Sequence, residues 1–223
     1  MSIAEKLTTI AENEQRVYDA GFDEGSQTEY DRFWDGYQEN GDRRSYAYAF
    51  SRRGWTDKTY KPKYPVIATG SAAEMYRESK ITNLVGVDTS GATSVYVAFY
   101  NTQLETIDKL DFSKATNTQN AFAHSVDLHT IGELVSSEST VWHTTTFDNT
   151  AKLTNLTITG TIATNFKCSI ATLTHDSLMS IIYALKDFSA EGGTHTCTIG
   201  TTNLAKLTNA EKTIATQKGW TLN

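Results

Sequence analysis

The chain has 223 residues, 39% apolar and 21% charged, with a net charge of −6. This composition excludes a disordered chain and suits one large or two small globular domains with a thin core. It also holds no basic stripe of the kind that marks a nucleic-acid binder and no run near the ~20 apolar residues of a membrane span.

The acidity is local. Residues 1–50 hold 11 acidic and 5 basic residues, whereas 51–223 hold 15 of each. Arg43-Arg44 and Arg52-Arg53 are short doublets close to acids and read as solvated surface. Cys168 and Cys197 fit no zinc spacing, and two cysteines make no disulfide framework, so two buried free thiols are expected. The opening Met1-Ser2-Ile3-Ala4-Glu5-Lys6 lacks the basic start and apolar run of a signal peptide. The expected product is made in a cytoplasm, without membrane insertion.

Residues 3–24 read as a helix. Ile3, Leu7, Ile10, Glu14, Val17, Gly21 and Glu24 follow steps of four and three, a heptad seam that is apolar in its first half. A helix of this length is marginal alone. It must pack on its own copies, on a partner or on the rest of the chain. Ile3, Leu7, Ile10 and Val17 are the candidate oligomerisation seam, and an ordinary amphipathic face is the alternative. The first segment, 1–27, closes at Gly25-Ser26-Gln27.

Segment 28–71 is an aromatic-rich helical cap in this reading. Ten of the chain's 24 aromatics fall in 28–65. Tyr30, Phe33, Trp34 and Tyr37 sit at helical spacing, Ser45–Phe50 continue as a second short helix, and Pro62 and Pro65 close the segment. Packing is the favoured role, since buried aromatics dominate small cores. The alternative makes Trp34, Tyr37 and Trp55 ligand-binding aromatics.

From residue 72 the texture changes. Of 35 threonines, 29 lie after residue 80, and threonine favours half-exposed pleated surface. Met75, Phe99, Phe122 and Phe147 are spaced by 24, 23 and 25 residues. Apolar triplets follow each: Ile81, Leu84 and Val87; Leu104, Ile107 and Leu110; Leu128, Ile131 and Leu134; Leu153, Leu156 and Ile158. A period near 23 with this core lies in the leucine-rich-repeat range. Each unit supplies one short strand and one turn carrying an aromatic, and the apolar residues stack between neighbours. Segment 72–173 is therefore expected to be a short leucine-rich-repeat-like solenoid with parallel strands. Gly86, Gly91, Gly160 and Gly200 are expected at its turns.

Segment 174–223 breaks the repeat and reads as an α/β C-terminal cap. Thr174 can N-cap a helix to about Phe188, Thr194–Ile199 alternate like a strand, Thr208-Asn209-Ala210-Glu211 matches a capping box, and Trp220-Thr221-Leu222 is a last strand. The fold class is α+β.

The register F-x(5)-L-x-x-I-x-x-L is similar to the BspA-like leucine-rich repeats of bacterial surface and prophage proteins. The ending Leu207–Lys212 with Ala215–Thr221 resembles the terminal unit of those proteins. Ile3–Leu7 with Val17–Gly21, and Tyr30–Asp35 with Tyr37–Gly41 and Gly54–Asp57, resemble the front of virion proteins from phages of Gram-positive gut bacteria. Val135-Ser136-Ser137 departs from the Asp111-Phe112-Ser113 type of step. The resemblance implies a non-enzymatic virion component, at the tail tip, baseplate or another external fitting. It would be a homo-oligomer, as a trimer, bound to other virion proteins. The alternative is an adhesion module for a host cell-surface glycan or protein.

The sequence offers no catalytic, cofactor-binding or metal constellation. His124, His129, His143, His175 and His195 form no H-E-x-x-H, and neither a G-x-S-x-G elbow nor a P-loop occurs. Asp31, Asp35 and Glu39 share one helical face, where paired acids would suit glycoside hydrolysis. Acids at that spacing are more often a solvated face.

Overall fold

The computed structural model describes residues 66–84 and 86–223. The seam Ile3, Leu7, Ile10 and Val17, the aromatics Trp34, Tyr37 and Trp55, and the acids Asp31, Asp35 and Glu39 lie outside the described residues.

The described chain mixes helix and strand with parallel sheets, compatible with an α+β class. Five strands come first: β1 (Val66–Ser71), β2 (Val87–Ser94), β3 (Thr106–Asp111), β4 (Thr130–Ser136) and β5 (Asn155–Gly160). A short β6 (Phe166–Lys167) leads to helix α1 (His175–Ala184). Then come β7 (His195–Thr198), the single turn α2 (Thr201–Leu204), α3 (Asn209–Gln217) and β8 (Trp220–Leu222). All pairings are parallel, in the orders β1-β2, β3-β4-β5 and β6-β7-β8. The paired strands therefore begin at Val66, inside the stretch read above as a helical cap.

The apolar triplets set the register. Ile107 faces Ile131, which faces Leu156, and Leu110 faces Leu134, which faces Ile158. All six are buried. Like residues stacked at the strand spacing bury a face that no single strand can bury.

A second ladder runs through the turns that follow the strands. The N–H groups of Ala72, Glu74, Tyr76 and Glu78 donate to the carbonyls of Ser94, Tyr96, Ala98 and Tyr100. Those of Val95, Val97, Phe99 and Asn101 donate in turn to Asn117, Gln119, Ala121 and Ala123. Intervening N–H groups fold back three residues, as Ala98 does onto Val95. Left-handed residues flip alternate peptides into this one-way pattern: Glu74, Val97 and Asn120 precede each ring by two, and Glu78, Asn101 and His124 follow it by two. Each rung thus donates toward the C-terminal side and accepts from the N-terminal side.

Inside the turns runs a column of rings. Tyr76 stacks on Phe99 at 5.8 Å, Phe99 on Phe122 at 5.5 Å, and Phe122 on Phe147 at 5.4 Å. Among the described residues the column starts at Tyr76, so the repeat aligns on Tyr76 rather than its neighbour Met75, although both are buried.

The step at Val135-Ser136-Ser137 also resolves. Asp111 pairs with Val135, which puts small Ser136 where the previous rung has Phe112. Trp142 fills that space. Its indole N–H donates to Ser136 Oγ at 3.1 Å, and its ring packs on Phe112, Phe147 and Phe166.

Of the four glycines expected at turns, Gly91 lies within β2, where an added Cβ would meet the Ala68 carbonyl at 2.7 Å. Gly160 ends β5 with φ +80°, and its Cβ would meet the Ser136 carbonyl at 2.0 Å. The glycines thus serve close backbone approach between rungs as well as turning.

Truncating Phe122, which touches Phe99, Phe112 and Phe147, leaves a cavity in the middle of the column. Phe122→Ala is expected to cost ~3–5 kcal/mol in denaturant unfolding. Val126→Ala, at a side chain 53% exposed, should stay within ~0.5 kcal/mol of the parent.

Candidate interaction surface

Polar side chains on the outside of the ladder are engaged chiefly with the next rung. Lys109 on β3 meets Glu133 on β4 at 2.8 Å, and Thr159 on β5 donates to the same carboxylate at 3.0 Å. Lys109 therefore holds its proton above the ordinary lysine value, chiefly through its bond to Glu133, and Glu133 ionises below the ordinary carboxylate range for the reciprocal reason, aided by Thr159. Lys152 pairs with Asp127 at 2.7 Å and Lys167 with Asp148 at 3.2 Å. Exposed pairs of this kind add little stability each, but they favour one register over its neighbours.

On the turn side, Arg77 bonds Glu74 at 2.7 Å and Glu78 at 3.2 Å, and its guanidinium lies 5.8 Å from the Tyr100 ring centroid. Tyr100 meets the His124 ring at 5.1 Å, and Asn149 Nδ2 lies 3.3 Å from that imidazole. This forms a ridge of charge and aromatic surface along successive rungs.

The open edge of β5 is closed by α1. The Leu156 N–H donates to Ser177 Oγ at 2.9 Å, and the Ile158 N–H to Ser180 Oγ at 3.1 Å. Two serines one helical turn apart thus satisfy alternate strand amides and remove a pairing edge. Thr174 caps the helix start. Its end lies at Ala184, earlier than the expected Phe188. There the Lys218 ammonium donates to the carbonyls of Ile182, Tyr183 and Leu185 at 3.2, 2.8 and 2.8 Å, a favourable place for a cation.

The terminal unit is locked by buried Asn203. Its side-chain amide donates to Ala171 and Ile199 carbonyls at 2.8 and 2.9 Å and accepts the Leu173 N–H at 3.0 Å. Thr208 and Glu211 form the expected capping box of α3.

The histidines are dispersed. His129 and His143 each lie beside a neighbouring threonine hydroxyl, and His195 stacks flat on Phe188 at 3.6 Å. His175 reaches Glu211 at 2.9 Å, joining α1 to α3. The two residues are 36 positions apart, so no short motif marks the pair. Among the described residues, no three His, Cys, Asp or Glu side chains gather where a metal ion would bind, and no helix is long and apolar enough to cross a membrane.

Cys168 and Cys197 are free and buried. Phe166 pairs with Cys197, and Cys168, just past β6, donates its N–H to the Thr198 carbonyl, so the two cysteines are offset by two residues along adjacent backbones. That offset separates their Cα atoms by ~8 Å, beyond disulfide reach. Burial raises both thiols, Cys197 to about 12.

The chain matches no family model, no curated protein and no solved structure.

Two outcomes follow from this geometry. Cys168 and Cys197 should resist a disulfide-exchange reagent at pH 8 and react fully in denaturant; fast labelling of the native chain would contradict their burial. Glu211 ionises below the ordinary carboxylate range, first because it accepts the Thr208 N–H and hydroxyl, and also because His175 is beside it. Its contribution is complete above the unfolded carboxylate value and is lost as pH falls through the lowered one. Glu211→Gln should therefore lower the thermal midpoint at neutral pH, with the gap to the parent closing at low pH.

Proposed function

We propose that the chain is a non-enzymatic structural component of a phage particle, built on a short leucine-rich-repeat-like solenoid with a C-terminal α/β cap. One observation carries the structural half of this reading. Ion pairs and hydrogen bonds tie polar side chains of neighbouring rungs together, as in Lys109–Glu133–Thr159 and Lys152–Asp127, so these parts of the outer surface are held in place. Such a surface binds neighbours by preformed shape. The particle half rests on the likeness of the front segments to phage virion proteins, and of the repeats and the ending to BspA-like repeats of bacterial surface and prophage proteins. In this reading the helix of residues 3–24 joins copies through Ile3, Leu7, Ile10 and Val17, as a trimer, and the ladder projects toward other virion proteins.

Two measurements test it. Mass spectrometry of particles purified from the source strain should find the chain in fixed stoichiometry with other particle proteins; its absence from particles would sink the assignment. Light scattering should give a trimer for the full chain and a monomer for a chain beginning at Thr28. Monomers in both cases would remove the helix as the assembly device.

A further inference from the structure

Helix α1 stands where the next rung would carry a strand. In the rungs before it, the Glu105 N–H donates to the Thr82 carbonyl, the His129 N–H to Glu105, and the Thr154 N–H to His129. The Thr174 N–H continues the series onto the Thr154 carbonyl at 2.8 Å. Beyond the helix the backbone rejoins the ladder. Ile162 bridges Leu185 as a parallel strand residue would: its N–H donates to the Ala184 carbonyl at 2.7 Å, and its carbonyl accepts the Lys186 N–H at 2.9 Å. Between these two anchors β5 pairs with β4 on one side and meets α1 on the other.

Two hydroxyls replace the missing backbone. In a parallel pair, each partner residue donates to one carbonyl and accepts the N–H two residues further on. Ser177 Oγ does both: it donates to the Thr154 carbonyl at 3.4 Å and accepts the Leu156 N–H at 2.9 Å. Ser180 Oγ accepts the Ile158 N–H at 3.1 Å. Its one hydrogen is shared between the Leu156 carbonyl at 3.1 Å and the Ser177 carbonyl of its own helix at 2.8 Å. The serines thus take the places of strand residues beside Asn155 and Thr157. Leu178, Ile181, Ile182 and Leu185 are buried and hold the helix on the core, but apolar contact is non-directional and satisfies no strand amide. An α-helix bonds its own backbone internally, so α1 offers no template for a further rung.

We propose that α1 is a strand surrogate, and that the Ser177 and Ser180 hydroxyls keep the β5 edge closed to a strand of a second copy of this chain. A second copy is the occupant because its own strands fit. Leu156 and Ile158 take Ile131 and Leu134 as neighbours, and β4 of another molecule carries the same pair at the same spacing. This goes beyond the proposed function and does not rest on it.

Ser177→Ala and Ser180→Ala, singly and together in the full chain, test it. Ser177→Ala should speed hydrogen exchange at the Leu156 amide, and Ser180→Ala at the Ile158 amide, each roughly tenfold or more and each with the smaller effect at the other site. Equal effects at both amides from either variant, or no effect, would mean that the apolar face alone holds the helix, and overturn the proposal. Light scattering reads the edge itself, with every mass compared with the parent's, so that a monomeric and a trimeric parent serve equally. The double variant should form heavier species as concentration rises. Tyr183→Ala, at a side chain 63% exposed on the same helix, should match the parent. A double variant that keeps protection at Ile131 and Leu134 and the parent's mass throughout overturns the proposal. If it loses that protection, Ser180→Ala alone decides: heavier species support the proposal, and the parent's mass at every concentration overturns it.

Discussion

The structure depends on stacking equivalent residues at the spacing of hydrogen-bonded backbones. Parallel strands lie about 4.8 Å apart, and the rings of Phe99, Phe122 and Phe147 follow at 5.5 and 5.4 Å. That separation suits offset-stacked aromatics. A ring at the same place in each rung therefore packs on its neighbours without adjusting the backbone. The Ile107–Ile131–Leu156 row does the same with aliphatic side chains. Because every contact repeats, a one-residue slip in one rung would misplace rings, aliphatic residues and ion pairs together.

A stack of this kind must end somewhere, and the C-terminal end shows how. Helix α1 lays Ser177 and Ser180 against the amides of β5, and Lys218 covers the carbonyls that the helix leaves open. Beyond it, Asn203 and the capping box of α3 fix a compact unit around Trp220, whose indole N–H donates to the Lys186 carbonyl at 2.8 Å.

Much of this was legible in the sequence, because apolar spacing reports burial directly. The triplets from Leu104 to Ile158 marked β3, β4 and β5, and Thr174, Thr208 and Glu211 marked two helix starts. Adjacent Met75 and Tyr76 were ambiguous, since both are buried and only ring stacking separates them. Trp142 gave no sign of replacing Phe112, because its compensation for Ser136 acts across a bend. The one-way turn ladder was invisible, since its left-handed positions carry Glu, Val, Asn and His rather than glycine. The serine seal on β5 and the His175–Glu211 pair join residues far apart in the chain, which local patterns do not encode.

Native-state hydrogen exchange followed residue by residue tests the central claim most directly. If the ring and aliphatic columns bind the rungs into one cooperative body, the amides of Ile131, Leu134 and Phe122 should be the slowest and should share one opening free energy. Protection that differs sharply between β3, β4 and β5, with each rung opening alone, would contradict the account.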